Sequence, residues 1–410
     1  MKGFTTKILN TELPKKDPYG SIHIPIYDNV AFEFESSKEI SEAFLGRINR
    51  HVYSRISNPT VEYFEKRIKV LTDSLGVLAL SSGMAAISNL ILTVVGAGDN
   101  IVCTKYIFGN TYSLFSYTLK KFNIEARFVD PQNHEEIERA IDDKTRLIFL
   151  ESITNPQLIV SDFEKITKIA KNKNILLVVD TTATPPPIFK AKDFGIDVEI
   201  ISSTKFISAG ATSIGGLIID YGTYNWGNNP YLKEYYKKFG PYTLLSKLRN
   251  EVYRNLGACL SPHNAFLQSL GLETIHLRVE KACKNALFIA NYLNYIDIIK
   301  NVRYPGLESF PDYNLAIKYF PVYQGSILTF ELPTKEKCFS FMDNLKIIRK
   351  STNINDNRSL IIHPATTIFS EYDENDRLKL GVTNTTIRLS VGIEDVEDLI
   401  EDINNSLKKI

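Results

Sequence analysis

One lysine stands out by its neighbours. The apolar run Ile200-Ile201 leads into Ser202-Ser203-Thr204-Lys205. An amine at the end of a buried strand loses solvation, which lowers its pKa towards that of a nucleophile. Ser202 and Thr204 flank it with hydroxyls that can bind phosphate. Upstream, Asp180 closes the run Ile175 to Val179, the place where α/β sheets bind ligands. Further upstream, Ser81-Ser82-Gly83-Met84 joins a short apolar run to an apolar helix. Such a turn aims free backbone N–H groups at one point and can hold an anion. Gly215-Gly216 follows soon after Lys205. Each piece alone has a plain structural reading: an N-cap, a turn-capping aspartate, a surface lysine. In one unit and in this order they suit a cofactor needing a phosphate cradle, a buried carboxylate and a reactive amine. Pyridoxal phosphate (PLP) is such a cofactor. Lys205 would be its Schiff-base lysine, and Asp180 would keep the pyridinium nitrogen protonated as an electron sink.

Two more residues can face the same crevice. Glu151-Ser152-Ile153-Thr154-Asn155-Pro156 ends another apolar run, and Asn155 can reach the site with a hydrogen bond. Arg388 sits inside the apolar run Thr386 to Val391. A buried guanidinium needs a partner; a substrate carboxylate gives a bidentate one, and a structural ion pair gives another.

These residues need a scaffold. Short apolar runs recur at Val77–Leu80, Ile101–Cys103, Ala126–Val129, Leu147–Leu150, Ile175–Val179, Glu199–Ile201 and Leu217–Ile219, with helical patterns such as Phe163 to Lys171 between them. That alternation predicts a mainly parallel sheet covered on both faces. Residues 1–60 lack long periodicity, and Ile22 to Tyr27 reads as extended; an N-terminal arm lying across a neighbouring subunit is expected, with an ordinary surface wrap as the alternative. Residues 61–257 form the expected cofactor-binding large domain, with an irregular insertion over 220–255. Residues 258–410 form an expected smaller α+β domain, with a long helix from Ser261 and strands at Ser326–Leu332 and Thr386–Val391. A final helix follows Glu394-Asp395.

Bulk composition excludes several classes. The chain has 410 residues and a formal net charge of +1, so nothing global points to nucleic acid or an anionic membrane. No apolar run reaches spanning length, and the first residues lack the apolar core of a signal peptide. Cys103, Cys259, Cys283 and Cys338 are scattered without a CxxC pair. Reduced thiols of a cytoplasmic protein are expected, with no disulfide framework and no metal site. Gly96-Ala97-Gly98 fails as a dinucleotide fingerprint because Ile101 stands where the third glycine should be.

Longer segments in the same order resemble the Cys/Met-metabolism family of PLP-dependent enzymes. They include Tyr53 to Thr60, Ser82-Gly83-Met84-Ala85-Ala86, Ser202 to Phe206, Tyr304-Pro305-Gly306-Leu307 and Arg388 to Glu394. The resemblance implies the type I, aspartate aminotransferase-like PLP fold. Within the family, Ala211 to Gly216, Gly257 to Pro262 and Leu360 to Ala365 are most similar to the O-acetylhomoserine sulfhydrylase branch. The activity implied is γ-replacement on O-acetyl-L-homoserine with sulfide or methanethiol, giving homocysteine or methionine. Cystathionine γ-synthase and cystathionine or methionine γ-lyase are the family alternatives. The resemblance also implies roles. Lys205 is catalytic and carries PLP; Asp180 pairs with the ring nitrogen. Ser82, Gly83, Met84, Ser202 and Thr204 cradle the phosphate. Asn155 sits near the ring hydroxyl and the substrate carboxylate, which Arg388 and Ser359 bind. Tyr53 and Arg55 reach the phosphate in an adjacent subunit of a homotetramer.

Two positions depart from the family pattern. Phe108-Gly109-Asn110-Thr111 stands where a tyrosine normally stacks on the PLP ring, and Phe369 stands where the sulfhydrylases carry histidine. Phenylalanine stacks but moves no proton. A departing thiolate benefits from an acid, whereas acetate leaves without one, so Phe108 favours an acylated substrate. A non-catalytic scaffold that keeps the fold is the remaining expectation of another kind.

Overall fold

The computed structural model describes residues 3–13 and 17–410. Met1-Lys2 and Pro14-Lys15-Lys16, parts of the expected arm, lie outside the described residues. The seven expected runs form one sheet: β1 Gly76–Leu80, β2 Asn100–Thr104, β3 Glu125–Val129, β4 Thr145–Glu151, β5 Leu176–Asp180, β6 Val198–Ile201 and β7 Gly216–Asp220. Their order is β1-β7-β6-β5-β4-β2-β3. From β6 to β3 all neighbours are parallel, while β7 runs antiparallel to β1 and β6.

Both faces of this sheet are buried. Leu177 and Val179 of β5 join one core cluster, and Leu176 and Val178 join the other. Burying each such side chain stabilises the fold by about 1.5–3 kcal/mol. The first cluster runs on through helices Pro262–Glu273 and Ile275–Asn294 into the second sheet. The two layers therefore share one core, and the crevice between them has a firm floor.

The second sheet holds β8 Lys300–Arg303, β9 Ile327–Glu331, β10 Arg349–Lys350, β11 Leu360–Ile362 and β12 Thr386–Ser390, in the order β10-β11-β12-β9-β8. β9 and β12 match the two expected strands. β8, β10 and β11 are too short for a periodic pattern to show.

Two expectations change. The stretch 220–255 is not irregular, because Lys233–Phe239, Thr243–Lys247 and Tyr253–Leu256 are helical. Leu244, Leu248 and Tyr253 recur near helical spacing and pack on the second core cluster, while charged and aromatic neighbours mask that period outside. The long helix from Ser261 is two helices, parted at Thr274. The arm contains helices Phe4–Leu9 and Ser37–Phe44. Its Ile22–Tyr27 piece lies in no strand and is pinned to its own chain. There the Thr60 hydroxyl donates to Pro25 O at 2.8 Å and accepts from Tyr27 N at 3.0 Å. No helix among the described residues is long and apolar enough to cross a membrane.

Candidate active site

Strand ends of the large sheet open onto a cavity of about 1010 Å³. Gly83, Met84, Phe108, Glu151, Asn155, Asp180, Ser202, Lys205 and Arg388 all line it, although they span over 300 positions of sequence. The parallel ladder sets Glu151 opposite Asp180, and Asp180 opposite Ile200. Lys205 follows the end of β6 by four residues. Two carboxylates and an amine thus meet at adjacent strand ends.

Burial shapes their charge. It raises the pKa of Asp180, and the Thr182 amide at 2.8 Å opposes that by favouring the ionised form. Glu151 is pushed well above the ordinary carboxylate range by burial and then by the Asp180 charge. One of its oxygens accepts from Phe108 N at 2.6 Å, which fixes the backbone that presents the Phe108 ring. Burial and the Arg388 charge lower the pKa of Lys205. Its Nζ contacts Asn353 Oδ1.

The N-terminus of helix Gly83–Val94 points into the same space. Ser82 spends its hydroxyl capping Ala85 N at 3.0 Å. The first amides of a helix lack intrahelical acceptors, so those of Gly83 and Met84 remain for a ligand. A Cβ on Gly83 would meet Ser202 Cβ at 2.8 Å, and one on Gly216 would meet Ser82 O at 2.0 Å. Only glycine lets β6, β7 and this turn come so close. The Thr204 hydroxyl exchanges hydrogen bonds with Gly215 at 3.1 Å and does not line the cavity.

Arg388 reaches across from β12. It is fully buried, and burial pulls its pKa down to about 9. It donates to Asn155 Oδ1 at 3.3 Å and to the carbonyls of Thr352 and Asn353 at 3.1 and 3.0 Å, while its Nε has no partner. A buried cation with neutral partners and an orphaned donor suits an incoming carboxylate.

Ser359 corrects the sequence expectation. Its hydroxyl donates to Glu394 Oε2 at 2.9 Å and accepts from Gly392 N at 2.9 Å. It is fully buried and lies off the cavity. Asn353 takes the place beside Arg388 and Lys205; no periodicity or motif marked it. Glu151 is legible in the sequence only as a strand end. Phe369 packs on Tyr372 at 5.1 Å and in a small cluster with Ala365 and Val382. Its neighbours Ile368 and Ser370 line the cavity instead. Tyr53 and Arg55 lie outside the cavity of their own chain, with Arg55 over the Tyr53 ring at 5.4 Å.

The glycine-lined amide turn, the strand-end carboxylate and the desolvated amine fit a phosphorylated pyridine aldehyde. Residues 5–408 match the family model described as Cys/Met metabolism PLP-dependent enzyme. The chain belongs to that family. It is therefore a PLP-dependent enzyme.

Relatives and solved structures agree. The O-acetylhomoserine sulfhydrylase of the methionine biosynthetic pathway of Wolinella succinogenes is 52% identical, over 86% of this chain and 99% of that one, with a TM-score of 0.79. A putative O-acetylhomoserine (thiol)-lyase from Campylobacter jejuni, solved with N'-pyridoxyl-lysine-5'-monophosphate, is 34% identical over 99% of this chain and 100% of that one. Its TM-score is 0.93. An L-methionine gamma-lyase of Fusobacterium nucleatum is also 34% identical, over 96% of this chain and 95% of its own length. The family is thus fixed, and the similar proteins include both O-acetylhomoserine sulfhydrylases and a methionine gamma-lyase.

Proposed function

We propose that this enzyme catalyses γ-replacement on O-acetyl-L-homoserine, with sulfide or methanethiol as nucleophile, giving homocysteine or methionine and acetate. The charge balance of the crevice supports this most. Among the described lining residues the cations are Lys205 and Arg388, against Glu151, Asp180, Glu371, Asp373 and Asp376. Arg388 can take one carboxylate, that of the amino acid. A second anionic group, as in a succinyl or phosphoryl ester, meets no further counter-charge among this chain's described lining residues, while the exposed acids Glu371, Asp373 and Asp376 repel it. A neutral acetyl group meets neither obstacle. Phe108 points the same way, because its ring offers the leaving group no proton and acetate needs none.

PLP, when bound, supplies an electron sink for charge developing on the substrate's α-carbon. Lys205 would hold the cofactor through Nζ and serve as the base at the α- and β-carbons; burial, which lowers its pKa, favours the neutral amine that this needs. Asp180 would pair with the ring nitrogen. The amides of Gly83 and Met84 would bind the phosphate, with Ser202 beside them; Ser82 and Thr204 shape that turn. Phe108 would offer its ring as a stacking face, Asn155 orients Arg388, and Arg388 would orient the substrate carboxylate.

We place Tyr53 and Arg55 at the phosphate of a neighbouring copy in a homotetramer. The arm around them exposes Tyr19, Ile22, Val30, Phe44 and Leu45, more apolar surface than a solvated arm carries. The four free cysteines suit a cytoplasmic setting.

The test is a panel of O-acetyl-, O-succinyl- and O-phosphohomoserine with sulfide, methanethiol and cysteine. Homocysteine from the acetyl ester and sulfide is expected. Steady 2-oxobutyrate without thiol incorporation would make the enzyme a lyase, and equal turnover of the succinyl ester would break the charge argument.

A further inference from the structure

A second cavity, of about 280 Å³, lies behind one wall of the active site. β8 and β9, the chain after Asn155 and the segment 378–381 enclose it. Three side chains make it unusual. Arg303 on β8 makes no direct hydrogen bond or ion pair among the described residues, although the Asp312 and Glu331 charges act on it; its Nε has no partner, and its guanidinium rests over the Phe310 ring at 5.7 Å. Gln157 is only 7% exposed, and neither atom of its amide has a partner. A buried amide in that state costs stability until something bonds it. Glu331 on β9 is held in place by Asn301 Nδ2 at 2.7 Å and Thr383 Oγ1 at 3.2 Å.

The ladder puts the two charges on one face. Arg303 faces Thr329 across the strands, beside a register irregularity, and Glu331 is two residues further along β9. The Glu331 charge acts on Arg303, and a carboxylate and an ammonium on one carbon can address both groups together. The other cation at this rim, Lys379, already pairs with Asp376 at 2.9 Å. Leu378 and Leu380 supply apolar wall, and the volume lies just below the usual range of ligand sites, so the occupant is small.

We propose that this cavity is a second, non-catalytic site for a small zwitterionic α-amino acid with an uncharged side chain. Its carboxylate sits on Arg303 and the Gln157 amide, its ammonium on Glu331, and its side chain against Leu378 and Leu380. An occupant there shares walls with the crevice. Asn155 lines one cavity and Gln157 the other; Asp376 lines one and Leu378 the other. The proposal does not depend on which homoserine ester the active site takes.

The test keeps the active site out of play. Borohydride reduction of the holoenzyme fixes the cofactor to Lys205, so an added amine cannot displace it. Calorimetric titration of that reduced enzyme with L-norleucine should show one site per chain. The site should persist in reduced Arg388→Ala and weaken at least tenfold in reduced Arg303→Ala and Glu331→Gln. Glu331→Gln nearly keeps the shape, removes the charge and leaves an acceptor for Asn301 Nδ2, so it decides the matter if Arg303→Ala folds poorly. No binding to the reduced enzyme overturns the proposal. So does binding lost in Arg388→Ala and retained in Arg303→Ala or Glu331→Gln.

Discussion

The two walls of the crevice are built by different means. On the large-sheet side, Glu151, Asp180, Ser202 and Lys205 sit at or just beyond the ends of three neighbouring parallel strands. Their spacing is set by ladder register, and no one of them can shift without breaking the sheet. On the facing side, Thr352, Asn353 and the stretch Thr367 to Asp376 come mostly from loops and short turns. Arg388 is the strand residue there. Several side chains tie that loop to the large sheet's side, Asn357 among them, through Ala209 O at 2.9 Å. Asn355, at φ 54°, donates to the carbonyls of Thr182 and Ala183 at 3.0 and 3.1 Å. Reacting groups thus stand on the stiff wall and recognition groups on the adjustable one, a division expected where positioning error is costly for chemistry.

The largest effect should come from the stiff wall. Lys205→Ala removes the amine that holds the cofactor and moves protons, and turnover should fall on the order of 10⁴-fold. Stopped-flow or endpoint assay of product checks this. A fall below tenfold would remove the lysine from the mechanism and with it the contrast between the walls.

The stiff wall should also carry a pH signature. Glu199 on β6 stands opposite Val179, the residue before Asp180, and accepts from the Thr181 and Tyr221 hydroxyls. Burial raises its pKa to about 7, against the stabilising hydroxyls and with help from the Asp180 charge. A folded pKa above the unfolded 4.5 means the native state binds the extra proton. That stability is complete below about pH 4.5 and is lost as pH climbs through 7. Glu199→Gln should remove this slope, by up to about 3 kcal/mol. Melting temperatures of both proteins at pH 5 and pH 8 measure it: the wild type should lose more on going to pH 8. Equal losses would mean that Glu199 is ionised throughout.

On the adjustable wall, Arg388→Ala should raise KM for the amino-acid substrate with a smaller change in kcat. Charged hydrogen bonds contribute about 1.5–3 kcal/mol, so kcat/KM should drop roughly 10- to 150-fold. An unchanged KM would show that the substrate carboxylate binds elsewhere.

The same contrast explains what the amino-acid sequence reveals. Asp180, Lys205 and Gly83 are legible because a parallel strand announces itself as an apolar run and its end is where the ligand goes. The order of such ends along the chain then narrows the chemistry. Arg388 is legible because a cation inside an apolar run demands a reason. Asn353 and Asn355 are not, because asparagine in a loop is ordinary. Their place depends on bonds to residues more than 140 positions away. Ser359 was misplaced for the same reason: Glu394, 35 residues on, claims its hydroxyl, and nothing local signals that. Glu151 is visible as a strand end, but its meeting with Asp180 exists only in the β4–β5 register. The shortest strands, β10 and β11, are placed by their partners: β11 pairs with β12, and β10 pairs with β11 alone.

The smallest effect gives the finest test of the loop wall. Asn353 contacts Lys205 through its side chain and Arg388 through its carbonyl. Asn353→Ala keeps the carbonyl and deletes the amide. One neutral hydrogen bond contributes about 0.5–1.5 kcal/mol, so kcat/KM should fall roughly two- to tenfold. Ser359→Ala deletes a hydroxyl that faces Glu394 and Gly392, away from the crevice. It should destabilise the fold by about 1–3 kcal/mol, because Gly392 N and Glu394 lose a buried partner, while KM stays the same. Steady-state kinetics and a melting curve on both variants separate the two. The reverse pattern, with KM moved by Ser359→Ala and not by Asn353→Ala, would mean that the loop wall repacks around the substrate and that Ser359 turns inward when it does.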